Sequence, residues 1–194
     1  MVAAENERDP TRVPTRANLL RAMRWLVEGS GSGDSLVFHF SGHGVQKLDL
    51  NGDEVDGYNE ALCPADFERS GKILDDEINE IIVRPLGRGV KLHAVVDTCH
   101  SGTILDLPYL CRLSRYTSSS LHHIHSNTYD PLRPTNQPNN AQVEFLVFFR
   151  TGYWQWENQQ TRFSSEQKCT SGGLAISISG CGDSQTSQDT TVSE

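Results

Sequence analysis

A histidine and a cysteine of this chain each follow an apolar run and lie in a short polar segment that contains glycine. His43 stands between two glycines after the run at residues 35–40. Cys99 lies in Asp-Thr-Cys-His-Ser-Gly, after the run at residues 91–96. A thiol is mostly protonated at neutral pH and needs a nearby base or a lowered pKa before it attacks a carbonyl carbon. We interpret Cys99 as a candidate nucleophile and His43 as its candidate base.

Each of these two residues also has a plainer interpretation. A lone histidine in a loop is usually structural, and a lone cysteine more often serves as a small buried hydrophobe. A packing cysteine, however, does not need a polar turn at the end of a strand. The pairing of the two segments therefore favours catalysis. His100 follows Cys99 directly, and we expect it to point away from the nucleophile.

The elements around these segments predict an α/β fold. The two runs are short and rich in Val, Leu and Phe, which is typical of parallel strands buried on both faces. Alternating strands and helices predict a mostly parallel sheet covered on both faces, with chemistry beyond the carboxyl ends of its strands. The predicted helices span 14–29 and 75–84, and the predicted strands span 35–40, 91–96 and 174–179.

Composition excludes several classes of protein. The 194 residues suffice for one domain with a real core. A net charge of -8 and a pI of about 5.3 argue against a nucleic-acid binder. Mean hydropathy is -0.47, no apolar run reaches the length of a membrane span, and residues 1–10 resemble neither a signal nor a transit peptide. The five cysteines show no metal-type pairing and are expected to be thiols in a reducing compartment.

Residues 114–168 do not continue the alternation of predicted strands and helices. Ser, Asn, Pro and His crowd residues 114–140, so we expect an irregular insert within a single domain spanning residues 1–194. The apolar run at 145–149 has two open interpretations. It is either a strand of uncertain pairing or sequence that did not evolve with this fold.

The acidic segment at 47–60 invites a calcium-binding interpretation. Asp49, Asn51, Asp53 and Glu60 occupy positions 1, 3, 5 and 12 of an EF-hand loop pattern. Against this, Glu54 stands where that loop needs glycine, and a strand rather than a helix precedes it. A solvated acidic loop is the favoured interpretation.

Several stretches together resemble the catalytic core of a metacaspase, most closely the plant type I members. The matching stretches are residues 34–44, 51–58, 74–79, 89–93, 99–103, 105–108, 178–181 and 185–187. The resemblance covers roughly residues 9–112 and 169–190. It implies a caspase-like three-layer sandwich, a mostly parallel sheet flanked by helices, that lacks the first and last core elements of the family. The type I prodomain is also missing from the matched sequence.

The resemblance implies roles for the residues around the two segments. It makes His43 and Cys99 a catalytic dyad of a cysteine endopeptidase that cleaves after Arg or Lys. Ser41 and Asp97 match positions that bind the basic substrate side chain, and a carboxylate pairs well with a guanidinium. The backbone N–H groups of Gly44 and Cys99 match the oxyanion-binding positions.

The resemblance also implies an activating calcium ion. The family's ligands match Asp75, Asp76 and Asp106, with Asn59 in place of a fourth aspartate. An amide keeps an oxygen donor but loses a charge. The alternative for Asp75 and Asp76 is helix N-capping, and both roles can coexist.

The resemblance finally implies a biological setting. The expected partners are protein or peptide substrates with Arg or Lys at the cleavage site, with no nucleic acid and no membrane. We expect a monomer in the cytoplasm, with the nucleus left open as a second location, and a link to programmed cell death. Two alternatives remain: a catalytically silent caspase-like fragment or regulatory binding module, and a calcium-binding module without catalysis.

Overall fold

The computed structural model describes residues 7–52, 54–114, 143–146, 153–161 and 168–182. Three α-helices and nine strands lie in these ranges, and the third helix continues as a π-helical segment, Asn79–Val83. The helices are α1 (Arg16–Val27), α2 (Phe67–Ser70) and α3 (Asp75–Ile78). The strands are β1 (Ser35–Ser41), β2 (His43–Leu48), β3 (Tyr58–Cys63), β4 (Ile73–Leu74), β5 (Lys91–Asp97), β6 (Tyr109–Ser114), β7 (Val143–Leu146), β8 (Tyr153–Asn158) and β9 (Leu174–Ser179).

The main sheet is a six-stranded, mostly parallel sheet in the order β1-β5-β9-β7-β6-β8. β1, β5, β9, β7 and β6 pair in parallel, and β8 pairs antiparallel with β6 at one edge. The predicted mixed α/β fold with a mostly parallel sheet is confirmed. The first two apolar runs are adjacent in this sheet, because β1 pairs with β5 along its whole length.

The sequence predicted that β1 and β5 are buried on both faces, and this is wrong for the described structure. Side chains of β5 alternate between buried and exposed, and those of β1 alternate between half-buried and exposed. One face packs on the core, which includes Met23 of α1, Ile78 of α3 and Leu92 of β5. The other face leaves Val37 and Val95 exposed. A second helical layer over that face is not among the residues that the structure describes, so the strands show the alternation of a sheet with one covered face.

Helix α1 agrees with the prediction for residues 14–29. Thr15 caps it, because its side chain accepts a hydrogen bond from the N–H of Asn18. Leu19, Leu20 and Met23 form its buried face. Its 12 residues are too few for a bilayer, and no other helix in the described ranges has the length and apolar character needed to span one.

A second sheet, β2-β3-β4, occupies part of the segment that was expected to be an acidic loop. β2 pairs antiparallel with β3, so Lys47 faces Asn59 and His43 faces Cys63 across the ladder. The loop is therefore confined to the residues between Leu48 and Tyr58. The expectation of a longer loop was wrong because β3 begins with polar residues. A strand is recognised in sequence by its apolar pattern, and polar residues that are buried in the fold interrupt that pattern.

Two stretches of the expected irregular insert form strands of the main sheet. Val143–Leu146 lies between β9 and β6, parallel to both, which confirms the strand interpretation for that part of the apolar run. Tyr153–Asn158 forms the antiparallel edge. Composition hid these strands because their pairing is set by distant partners. The remaining parts of the predicted insert, 115–142, 147–152 and 162–167, lie outside the described residues.

Candidate active site

The parallel pairing of β1 with β5 places four of the predicted site residues at one edge of the sheet. Ser41, the last residue of β1, is aligned with Asp97, the last residue of β5. The N–H of Gly42 then donates to the carbonyl of Asp97 at 3.3 Å. His43 follows on one side and Cys99 on the other, so both segments leave the sheet at the same point. This is the edge at which parallel sheets carry chemistry.

The backbone of Gly44 packs directly against the segment that carries Cys99. A Cβ atom at position 44 would lie 2.2 Å from the carbonyl oxygen of Cys99 and 2.6 Å from Oγ1 of Thr98. Only glycine permits so close an approach of two backbone segments. The residue after His43 therefore contacts the peptide group of the predicted nucleophile, so the two segments that carry the predicted catalytic residues pack against each other.

Three hydroxyl groups fix the turn that presents Cys99. Thr98 donates to the Cys99 carbonyl at 3.0 Å, and Ser101 donates to the Thr98 carbonyl at 2.9 Å. Ser179, at the end of β9, donates to the Ser101 carbonyl at 2.5 Å. His100 has a left-handed backbone with φ of 52°, an uncommon conformation for a residue other than glycine. Strain held in place by surrounding hydrogen bonds is frequent at functional sites.

Three of the other four cysteines are poorer nucleophile candidates. All five cysteines fall in the described ranges and are thiols rather than disulfides. Burial raises the pKa of Cys63 and Cys169, and raises that of Cys111 to about 11. Cys63 is the instructive comparison, because it faces His43 across the β2–β3 ladder. A raised pKa suppresses the thiolate, the reactive form, so position opposite His43 alone does not make a nucleophile.

The predicted substrate-binding pair lies open to solvent beside the nucleophile. Ser41 and Asp97 are both exposed. The Ser41 hydroxyl lies 3.3 Å from Nε2 of His39, and one Asp97 oxygen would lie 3.3 Å from a Cβ at Gly180. A carboxylate and a hydroxyl at the rim of the sheet can receive a cationic side chain from solvent.

A buried acidic cluster contacts the chain segment that follows Cys99. The main-chain N–H of Glu60 donates to Asp75 at 2.6 Å, and the N–H of Asp76 donates to the second oxygen of the same carboxylate at 2.9 Å. The Glu60 carboxylate accepts from Thr103 at 2.7 Å and from Gln46 at 3.1 Å. The cluster therefore joins β3 and α3 to the chain segment that follows Cys99.

A buried lysine completes the cluster. Lys168 is 1% exposed, and its ammonium lies 2.8 Å from Glu54 and in contact with Asp106. Burial and the charge of Asp106 raise the pKa of Glu54 to about 8, against the opposing effect of Lys168. Burial and the charge of Glu60 raise the pKa of Asp75 well above its usual value. Burial would lower the pKa of Lys168, but the charges of Asp106 and Glu54 prevail and raise it.

Comparison with known proteins identifies the family. A family profile described as "Metacaspase, peptidase C14 domain" matches residues 1–108. The chain belongs to the metacaspase family. Metacaspase-1 of Arabidopsis thaliana is 48% identical over 99% of this chain and 42% of its own length, and Metacaspase-3 of the same plant is 45% identical over 99% and 43%. Metacaspase-1 of Saccharomyces cerevisiae is 53% identical over 56% of this chain and 25% of its own.

The chain spans less than half the length of these metacaspases. Its similarity to the plant proteins runs over nearly the whole chain and therefore includes the site residues. The comparison assigns the chain to the family, and the roles of the individual site residues remain predictions.

The structure brings the calcium ligands that the metacaspase resemblance implies only partly together. Asn59, Asp75 and Asp106 are buried, while Asp76 is half-buried. Within the described ranges, no group of three or more His, Cys, Asp or Glu side chains is placed to hold a metal ion. The donors are nonetheless the oxygens that calcium prefers, and Oδ1 of Asn59 is buried without a hydrogen-bond partner. That orphaned oxygen fits a cation site.

The structure also bears on two simpler roles for the acidic residues, which are helix N-capping and loop capping. Helix α3 begins at Asp75 and its N-cap is Leu74, so neither aspartate is the N-cap residue. The Asp49 carboxylate accepts the N–H groups of Asn51, Gly52 and Glu54, which is the role of a loop-capping residue. Asp53 lies outside the described residues.

Sequence reasoning did not assign Glu54 and Lys168 to this cluster. Glu54 was weighed only as a misfit to a loop pattern, and Lys168 is 114 residues from it in the chain. No local sequence signal marks either residue for burial, because only tertiary packing brings them together.

Proposed function

We propose that this chain carries the catalytic dyad of a metacaspase-type cysteine endopeptidase. The observation that supports it most is the packing of Gly44 against the Cys99 carbonyl at the shared edge of β1 and β5. That packing places the His43 segment against the nucleophile turn. Cys99 is the nucleophile, and His43 is the general base.

The reaction follows from this placement. The Cys99 sulfur bonds to the scissile carbonyl carbon while His43 accepts the thiol proton. The developing oxyanion accepts hydrogen bonds from the backbone N–H groups of Gly44 and Cys99. His43 then gives its proton to the departing amine, which leaves an acyl-enzyme thioester. Water attacks this thioester with His43 again as base, releasing the acid and restoring the thiol.

The proposed specificity is for Arg or Lys before the cleaved bond. Asp97 and Ser41 support it, because they lie side by side and exposed at the end of the strands that carry the dyad. A carboxylate binds a guanidinium through charge-assisted, paired hydrogen bonds. Substrates are therefore proteins or peptides with a basic residue at the cleavage site.

The proposal includes activation by calcium. Asn59, Asp75, Asp76 and Asp106 would hold the ion through oxygen atoms, and the ion would supply positive charge to a cluster of buried carboxylates. Asp106 lies in the segment that follows Cys99, so an ion there would bear on the position of the nucleophile turn. The family resemblance extends the proposal to programmed cell death in the cytoplasm.

The test compares Cys99→Ala with Cys63→Ala in hydrolysis of a fluorogenic peptide ending in Arg. Cys99→Ala should abolish cleavage. Cys63→Ala should retain most of it, because Cys63 faces His43 but its thiol is suppressed. Full activity in Cys99→Ala would refute the nucleophile. A folded wild-type chain that cleaves nothing with calcium present would favour the alternative, a catalytically silent binding module.

A further inference from the structure

The ammonium group of Lys168 lies inside the acidic cluster. Its side chain is 1% exposed and that of Glu54 is 5% exposed, and the nitrogen contacts both Glu54 and Asp106. Glu60 and Asp75 belong to the same cluster and are buried. A buried carboxylate without a counter-charge is strongly destabilising, so the lysine stabilises the metal-free fold.

Asp106 is also one of the proposed calcium ligands, and this creates a conflict. The oxygen of Asp106 that contacts Lys168 cannot at the same time bind a divalent cation closely, because the ammonium and the ion repel each other. In the structure, Lys168 supplies the positive charge at Asp106.

Glu54 offers a position to which the ammonium can withdraw. It lies 2.8 Å from the lysine nitrogen and is not among the proposed calcium ligands. If the lysine keeps its contact with Glu54, it can release Asp106 without entering solvent.

We propose that Lys168 is a built-in counter-cation with which calcium competes for Asp106, so that this lysine sets the calcium concentration to which the chain responds. The inference rests on the proposed calcium site. In the metal-free state the ammonium offsets the charge of Asp106, and in the calcium-bound state it remains with Glu54 alone.

The experiment is a titration of the full chain with calcium chloride, read as the rise in melting temperature, which follows binding by mass action. Lys168→Met removes the charge and keeps the length of the side chain. Its calcium midpoint should fall about tenfold, because calcium affinity follows the charge balance of the site. Lys91→Met, the same change at an exposed lysine on β5, should leave the midpoint unchanged.

A midpoint in Lys168→Met equal to or above that of the wild type would overturn the proposal. If Lys168→Met does not fold without metal, the readout is refolding on addition of calcium, followed by circular dichroism. Refolding below the wild-type midpoint supports the competition, and failure to refold at about 10 mM calcium contradicts it.

Two further variants separate this inference from the calcium site itself. Glu54→Gln removes the carboxyl group that receives the withdrawn ammonium, so its midpoint should rise. Asp76→Ala removes a proposed ligand and should weaken or abolish the response. If Asp76→Ala does so while Lys168→Met changes nothing, only the role of Lys168 fails. If no variant and no wild-type sample responds to calcium, the calcium site fails as well.

Discussion

The sheet edge with the proposed dyad and the acidic cluster are neighbouring regions that differ in how they are assembled and in how far they are exposed. The edge is assembled by backbone pairing, and its residues are exposed or half-buried: His43, Cys99, Ser41 and Asp97. The cluster is assembled by side chains and is buried, with Lys168 as its cation. In the proposed function, substrate must reach the first region, whereas the charges of the second are buried together. The comparison separates a charge proposed to recognise substrate, at the edge, from charges that act within the fold, in the cluster.

This contrast predicts a division of effects. Substitutions at the edge should change turnover with little change in the free energy of unfolding. Substitutions in the cluster that leave the proposed calcium ligands unchanged should do the reverse. Gly44 is the informative exception, because its backbone belongs to the edge while its packing resembles that of a core residue.

Gly44→Ala should therefore damage both properties. The added methyl would overlap the Cys99 carbonyl and displace an oxyanion donor, which costs about 100-fold or more in kcat. Overpacking at a backbone contact should also destabilise the fold by about 1–3 kcal/mol. The measurements are peptide hydrolysis and urea unfolding. Gly31→Ala, where the added methyl meets no atom within 4 Å, is the control. Equal behaviour of the two variants would separate Gly44 from the site.

Asp97→Asn should affect turnover alone. Loss of the carboxylate should lower kcat/KM for an Arg substrate by about tenfold or more, because a charge-assisted contact is replaced by a neutral one. A reporter ending in Gln should show no comparable loss. The melting temperature should stay close to that of the wild type, since the side chain is exposed. An unchanged kcat/KM for Arg would remove Asp97 from the pocket.

Thr103→Val should affect stability alone. The hydroxyl of Thr103 donates to the buried Glu60 carboxylate at 2.7 Å, and valine leaves that oxygen without this donor. The free energy of unfolding should fall by about 1–3 kcal/mol. Thr103→Ser keeps the donor and should lose less. The measurement is urea unfolding of the three chains. Equal losses in the two variants would mean that packing, rather than the hydrogen bond, is responsible.

The edge could be read from the sequence and the cluster could not. Runs of Val, Leu and Phe followed by glycine-containing turns mark strand ends, and the rules of parallel sheets favour, without requiring, that two such strands lie side by side. The cluster unites Glu54 with Lys168, 114 residues apart. Local patterns carry no signal for that contact, because only tertiary packing decides which charged residues become buried.

The same reason explains the errors in the fold. β3 begins with Tyr58 and the buried polar residues Asn59 and Glu60, which look like loop sequence until their partners are known. β7 is a short run whose neighbours β9 and β6 are distant in the chain. Strands buried on both faces were expected from apolar content, while the alternation in β5 shows a single covered face in the described residues.

The central claim is that the sheet edge makes His43 and Cys99 a working pair, and thiol alkylation tests it even in the absence of a substrate. The measurement is the rate of iodoacetamide modification of each cysteine at pH 7, followed by peptide mass spectrometry. Cys99 should react fastest, ahead of Cys63, Cys111 and Cys169, whose pKa values are raised by burial. His43→Ala should slow Cys99 and leave the others unchanged. Equal rates at Cys99 with and without His43 would contradict the dyad.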